Sequence, residues 1–309
     1  MRKKITIGSR GSALALWQTN WVKAEMQKYF PLLQIEVELI KTTGDKILDS
    51  PLSKIGDKGL FTKELEVALI DKRIDLAVHS LKDVPTKVPD GLWISAITER
   101  EDVHDVFVAP SGSNYNSLDT LPIGASVATG SLRRKCQLLN WRSDLQIIDI
   151  RGNLNTRFAK LDESDWMGMI LARAGVVRLG WEKRITQILP LEKMLPAVGQ
   201  GALGIETRTD DASVNEIVLK LTHRATEIST KGERSLLRHL EGGCQIPIGA
   251  FGRIENGNFK LDALIGSLDG KRIVRDSIEG NPEDSEKLGI ELAEKLLKNG
   301  GEEILKEIR

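Results

Sequence analysis

The stretch Lys4-Ile5-Thr6-Ile7-Gly8-Ser9-Arg10-Gly11-Ser12-Ala13 joins a short β-type run to a polar break and then to a long helical stretch. Lys4–Gly8 reads as a strand that ends at Ser9-Arg10-Gly11-Ser12. The helix that follows is predicted from about Ala13 to Tyr29, with Ser12 as N-cap and Pro31 marking the stop. Ile35–Ile40 alternates as a second strand. A polar, glycine-containing stretch from Lys41 to Gly59 leads to a helix from about Leu60 to Ile70. Asp75–His79 is a further strand, running into His79-Ser80-Leu81-Lys82-Asp83-Val84-Pro85. Strands alternating with helices predict an α/β fold with a largely parallel sheet.

The pattern then restarts. Ile123–Thr129, Gln146–Ile150 and Met169–Ala172 read as strands; Leu132–Trp141 and Asn153–Asp162 read as helices, and Gly175–Gly180 as a helical turn. From about Thr226 the style changes. A short helix, Glu233–Leu240, closes at Gly242-Gly243, and Pro247–Ile254 and Phe259–Leu264 form a hairpin across Glu255-Asn256-Gly257-Asn258. A third strand, Lys271–Asp276, and a long amphipathic helix, Pro282–Asn299, complete a small α+β region. Glu99–Asp105 and Pro196–Gly204 sit where one pattern gives way to the next and are read as hinges.

Lys+Arg and Asp+Glu both number 44, so overall charge makes no case for nucleic-acid binding, and any basic site must be local. Only two cysteines occur, which argues against a disulfide scaffold and for a reducing compartment. The first residues are basic, but no apolar segment of the signal-peptide kind follows them. No apolar run approaches the roughly 20 residues that span a bilayer. The expectation is a cytoplasmic protein with no membrane and no nucleic-acid partner.

Arginine recurs at the ends of the predicted parallel strands. Arg10 follows the first strand, Arg133 and Arg134 open the helix after Ile123–Thr129, Arg151 follows Gln146–Ile150 with Arg157 just beyond, and Arg173 and Arg178 follow Met169–Ala172. Ligands of open parallel sheets bind past the carboxyl ends of the strands. Helix N-termini there favour anions, and arginine forks suit carboxylates. Any one of these arginines is as readily a surface residue paired with a surface acid. Their repetition at equivalent places points instead to a cleft for a ligand with many negative charges. No phosphate-loop spacing is present to make that ligand a nucleotide.

Asp83 lies on the same edge, on a loop stiffened by Pro85. A carboxylate there is suited to stabilising a developing cation or moving a proton, although a turn aspartate bonding its own backbone is the commoner occupant of such a position. Cys244, between Gly242-Gly243 and Pro247, is placed for a nucleophilic thiol as readily as for a structural one. Cys136 falls in a partly apolar helix and reads as core. His79, His104, His223 and His239 make no metal-ligand spacing, so no metal site is expected.

Seven segments together resemble the porphobilinogen deaminase (hydroxymethylbilane synthase) family. They are Gly8–Gln18, Gly56-Asp57-Lys58-Gly59-Leu60-Phe61, His79–Pro85, Gly130-Ser131-Leu132-Arg133-Arg134, Ile150-Arg151-Gly152-Asn153 with Arg157, Gly199–Glu206 and Gly242–Gly249. The resemblance runs from Ile5 to about Gly252. No departure falls at these positions; Arg173 stands where many relatives are expected to carry a small residue, and it takes no role.

The resemblance implies two periplasmic-binding-protein-like (type II) α/β domains plus a small α+β C-terminal domain. The first domain would take residues 1–99 with a returning segment 200–219, the second 103–196, and the third, bearing the cofactor, 224–309. It implies a transferase that condenses four porphobilinogen molecules head to tail, releasing ammonia, on a covalently bound dipyrromethane, and then hydrolyses the product to hydroxymethylbilane. Asp83 would be catalytic. Cys244 would carry the dipyrromethane through a thioether, with Lys82, Asp83, Thr129, Ser131, Arg133, Arg134 and Arg151 around it. Arg10, Ser12, Gln18, Lys58, Ser80, Arg157, Arg178 and Gln200 would bind substrate.

Lys46–Lys58 would act as a mobile lid that brings Lys58 to the substrate. The chain is expected to be a monomer. A binding protein of the periplasmic type shares the two-domain cleft but has no use for Cys244, and it would carry no covalently attached mass. A DNA- or RNA-binding regulator would need a basic surface and a helix-turn-helix or similar motif, and neither is evident.

Overall fold

Ser12 starts the first helix as its place predicts: its hydroxyl accepts from the Ala15 N–H at 3.3 Å, and the helix runs from Ala13 to Tyr29. The computed structural model describes residues 2–46, 59–240 and 246–308. In chain order, the first elements are β1 (Lys4–Ser9), α1 (Ala13–Tyr29), β2 (Gln34–Leu39), α2 (Thr43–Lys46), α3 (Lys63–Ile70), β3 (Leu76–Ser80) and β4 (Leu92–Ile97). Next come β5 (Asp105–Val108), β6 (Ser126–Ala128), α4 (Leu132–Trp141), β7 (Gln146–Ile148), α5 (Leu154–Glu163), β8 (Gly168–Ala172), α6 (Arg173–Arg178) and β9 (Gln187–Ile188). The last are β10 (Leu203–Arg208), α7 (Ala212–Leu219), α8 (Arg224–His239), β11 (Ile248–Glu255), β12 (Asn258–Gly266), β13 (Ile273–Gly280), α9 (Ser285–Leu296) and α10 (Glu302–Ile308).

Residues 2–46, 59–101 and 201–227 pack as one unit, and residues 102–200 and 228–308 as another. The first unit holds a sheet of order β2-β1-β3-β10-β4. β1 is parallel to β2 and β3, whereas β10 runs antiparallel to both of its neighbours. One face packs Ile5, Ile7, Leu76 and Ile205 against Val22 and Met26 of α1 and Val218 of α7. Ala77 on the other face meets Leu65 and Leu69 of α3. Coverage on both faces explains why β3 and β10 are nearly continuous in burial rather than alternating.

The second unit repeats the design. Its first sheet has the order β7-β6-β8-β5-β9, with β5 antiparallel to β8 and β9. Phe107, Val127 and Ile170 pack with Leu138 of α4, and Val106, Val108 and Leu171 pack with Phe158 of α5. In each α/β sheet the reversed strand is therefore the one that comes directly after the chain changes units. The hinges read from sequence at Glu99–Asp105 and Pro196–Gly204 run into the first residues of these two strands, and neither strand was itself expected. β5 is only four residues long and wholly buried, so it shows no alternation, and β10 is likewise buried at every position.

The C-terminal sheet is an antiparallel meander, β11-β12-β13, whose inner face meets Leu236 of α8 and Leu292, Ala293 and Leu296 of α9. Asn256 and Gly257 both take positive φ (51° and 83°), the requirement of the two-residue hairpin turn that their sequence predicted.

Two sequence boundaries are corrected. The short helix expected at Glu233–Leu240 is the second half of α8, because Gly232 is not a stop: a Cβ there would lie 2.4 Å from the Phe259 ring, so glycine lets the helix approach the sheet. The strand expected at Ile123–Thr129 contracts to Ser126–Ala128, since Ile123 is 91% exposed and Gly124 turns at φ 77°.

Cys136 is core, as expected. It is fully buried, and burial pushes its thiol up to about 12. Its sulfur marks where α4 meets the end of β12: a Cβ on Gly266 would lie 2.1 Å from Cys136 Sγ, with the next nearest atom at 3.4 Å. Gly266→Ala is therefore expected to destabilise the protein by about 1–3 kcal/mol. Adding Cys136→Ala should return much of that loss, because the clashing atom is gone. Thermal unfolding of the two single variants and the double variant measures the coupling, and additive losses would refute the contact.

Candidate active site

The carboxyl ends of β1 and β3 lie side by side in the first unit and define one edge. A cleft there is lined by Arg10, Ser12, Gln18, Phe61, His79, Ser80 and Asp83, among others. Arg10 leaves the end of β1 and is already engaged. Its guanidinium makes a two-pronged pair with Asp45 (2.5 and 3.1 Å) and stacks 4.2 Å over the Phe61 ring. Burial pushes the Asp45 carboxyl up, but hydrogen bonds from Arg10 and Thr42 outweigh it and hold the carboxyl below its ordinary value. An incoming carboxylate would thus compete with Asp45 for Arg10. Gln18, one turn into α1, donates from Nε2 to Ser80 Oγ at 2.8 Å and ties the helix to the end of β3. Beyond Ser80 a single 3-10 turn carries half-buried Lys82 and exposed Asp83.

The second unit has the corresponding edge past β6, β7 and β8. Ser131 caps α4 by accepting from Arg134 N–H at 3.4 Å, and Asn153 caps α5 by accepting from Thr156 N–H at 3.0 Å. Both helix starts present a positive dipole end. Thr129 is buried at the end of β6, where its hydroxyl accepts from Ser131 N–H. Arg151 is half-buried, and its Nη1 is buried without a hydrogen-bond partner among the described residues. Arg157 turns back onto Gly152 O at 2.9 Å, and Arg178 lies buried at the end of α6.

The expectation that Arg133, Arg134 and Gln200 simply face a ligand needs correction. Arg133 and Arg134 are each only 5% exposed, and both close on Asp105, which is fully buried at the start of β5 (2.8 Å each). Arg133 also reaches Leu195 O, and Arg134 reaches Ile170 O. Gln200 is fully buried and donates to Val103 O at 2.7 Å and Asp105 Oδ1 at 2.9 Å. Burial pushes the Asp105 carboxyl up, but the two guanidiniums overcome it and hold it well below the carboxylate range. Two cations on one buried anion leave positive charge in surplus at this edge. Asp105 escaped the sequence reading; its one signal was an acid directly before the apolar Val106-Phe107-Val108.

Cys244 and Lys58 lie outside the described residues, as do the Gly242-Gly243 turn and nearly all of the Lys46–Lys58 stretch.

The first unit thus carries an exposed carboxylate and a stacked arginine at its strand edge, and the second carries paired buried arginines at its own, chemistry suited to anions. Residues 5–216 match the family described as "Porphobilinogen deaminase, dipyromethane cofactor binding domain", and residues 228–298 match its "C-terminal domain". The chain belongs to the porphobilinogen deaminase family. It is 60% identical over 313 residues to a porphobilinogen deaminase of Chlorobium phaeobacteroides (strain BS1), covering all of this chain and 99% of that one. It is 59% identical over 312 residues to that of Chlorobaculum parvum, with the same coverage. Among solved structures, it is similar to the periplasmic aliphatic sulphonate binding protein SsuA of Escherichia coli (13% identity, TM-score 0.39, 78% of this chain and 71% of that one). It is also similar to the periplasmic VFT2 domain of Bordetella pertussis BvgS (12% identity, TM-score 0.43, 71% and 87%). The strand orders above define the fold independently of those two.

Proposed function

We propose that the chain carries out its family's reaction through the two edges described. It is a transferase. It joins four porphobilinogen molecules head to tail with loss of ammonia, on a covalently bound dipyrromethane, and releases hydroxymethylbilane by hydrolysis. When bound, the dipyrromethane supplies the free pyrrole α-carbon to which units are added. The donor set fits it. Each pyrrole ring bears two carboxylates, and the second unit offers a buried Arg151 Nη1 with no partner among the described residues, surplus charge from Arg133 and Arg134, and two capped helix starts.

In this reading Arg133, Arg134, Arg151, Thr129, Ser131 and Lys82 hold the cofactor's carboxylates, and Cys244 carries it through a thioether. Arg10, Ser12, Gln18, Lys58, Ser80, Arg157 and Arg178 hold those of the incoming porphobilinogen, with Gln200 acting indirectly by holding Asp105. Asp83 faces the pyrrole N–H groups, offsets positive charge as it develops and moves protons. The observation that carries the assignment is Asp83 itself: an exposed carboxylate in the same cleft as Arg10 and Ser80. Division into domains 1–99 with 200–219, 103–196 and 224–309 goes with this reading, as does a cytoplasmic monomer with no nucleic-acid or membrane partner. Equal numbers of acidic and basic residues support the absence of a nucleic-acid role.

Intact mass of the denatured protein tests the attachment, because a thioether survives both denaturation and thiol reductants. The mass should exceed the sequence mass by one dipyrromethane, and brief exposure to substrate should add species heavier by single pyrrole units. Cys244→Ala should remove the excess mass and the activity together. Cys136→Ala should change neither, since that thiol is buried and its proton tightly held. A wild-type mass equal to the sequence mass, unchanged after incubation with hydroxymethylbilane, would overturn the assignment.

A further inference from the structure

Behind the cleft of the first unit lies a buried acid–imidazole cluster to which the reading above gives no task. β3 and β10 pair antiparallel with His79 opposite Gly204 and Ala77 opposite Glu206. His79 and Glu206 are therefore diagonal neighbours on one face of the sheet. His79 Nε2 lies 2.9 Å from Glu206 Oε2, with the two side chains 4% and 0% exposed. Glu206 Oε1 has no hydrogen-bond partner among the described residues. A buried carboxylate bonded on one side only is expensive to maintain, and apolar packing of similar volume is often at least as stable. His79 is also among the residues that line the cleft, with Ser80, Asp83 and Gln18. With Nε2 turned to Glu206, Nδ1 is the ring nitrogen not engaged by that carboxylate.

We propose that His79 is a second proton carrier of the condensation, held by Glu206 in the Nε2–H form so that Nδ1 accepts the proton released from the pyrrole α-carbon. The proposal rests on the reading of the Asp83 cleft as the reacting site. The balance is simple. As each new carbon–carbon bond is completed, one α C–H bond breaks, its electron pair returns to the pyrrole ring, and the proton passes to Nδ1. Ammonia has by then left to form the electrophile, so the imidazolium passes its proton to solvent, where the ammonia takes it up, and neutral imidazole is restored. Glu206 faces the imidazolium while it exists. Among the described residues, Arg10 and Asp83 line the same cleft, and Glu66 on α3 interacts electrostatically with His79 and Glu206. Burial pushes the Glu66 carboxyl up and Glu206 adds to the effect, while His79 opposes it.

Nitrogen-15 NMR of the four imidazoles in the holoenzyme reads the tautomer directly. His79 is expected with Nε2 protonated and Nδ1 bare, and Glu206→Gln is expected to mix the two forms. A wild-type His79 protonated on Nδ1 alone would overturn the proposal, as would a tautomer indifferent to Glu206→Gln. In kinetics, His79→Gln should lower kcat by about 10²-fold with KM little changed. Porphobilinogen deuterated at its free α-carbon should show a larger isotope effect in this variant than in the wild type, because proton removal has become slow. A drop in kcat with the isotope effect unmoved would mean a structural role only. Failure of the cleft reading shows separately, as normal turnover by Asp83→Ala.

Discussion

Asp83→Ala is expected to lower hydroxymethylbilane production by about 10²–10⁴-fold, the range for losing a positioned acid–base group, while leaving thermal unfolding nearly unchanged. Asp83 is exposed at the end of a 3-10 turn, so truncating it opens no cavity and leaves no buried partner unpaired. The turn is fixed by other residues: Leu81 is buried, and its carbonyl accepts from the Val84 N–H at 3.2 Å. Asp83→Glu keeps the charge but moves it by one methylene, so it should retain part of the rate. Steady-state turnover alongside melting curves makes the comparison. Near-normal turnover by Asp83→Ala would reduce Asp83 to a turn residue.

The largest loss of stability is expected at Asp105. Asp105→Asn keeps the shape but removes the carboxylate that Arg133 and Arg134 share, the one paired with both among the described residues, and so takes this counter-charge from two buried guanidiniums. Breaking a buried pair in this way costs about 3–5 kcal/mol. The same change should weaken retention of the cofactor, because both arginines lose the group that fixes their orientation. Acid titration gives an independent check with a definite sign. Arg133 and Arg134 hold the folded-state carboxyl below its unfolded value of about 4. Its stabilisation is therefore complete above pH 4 and is lost as pH falls through the folded-state value. The wild type and Asp105→Asn should differ by a constant amount from neutral pH down to about 4, and the gap should narrow below that. A gap that widens on acidification would contradict the ion-pair account.

Local chemistry was enough to place most of the elements. Ser12 and the run to Tyr29, Leu132–Trp141 and the Asn256-Gly257 turn are each specified by residues within a few positions: a cap, a helical apolar pattern, a pair able to take positive φ. The burial of Cys136 was legible for the same reason, as was the gathering of Arg10, Ser12, Ser80 and Asp83 at the ends of parallel strands, because strand direction alone brings those ends to one edge.

What distant segments decide together was not legible. β5 and β10 are short, fully buried strands whose direction and neighbours depend on where the chain returns, and nothing in their own composition distinguishes them from connecting segments. Asp105 meets Arg134 across 29 positions, and His79 meets Glu206 across 127. A charge or an imidazole carries no periodic signal of its partner in the chain. Only the folded sheet, by taking both groups out of water, forces them to pair and so determines which arginines are held by the protein itself.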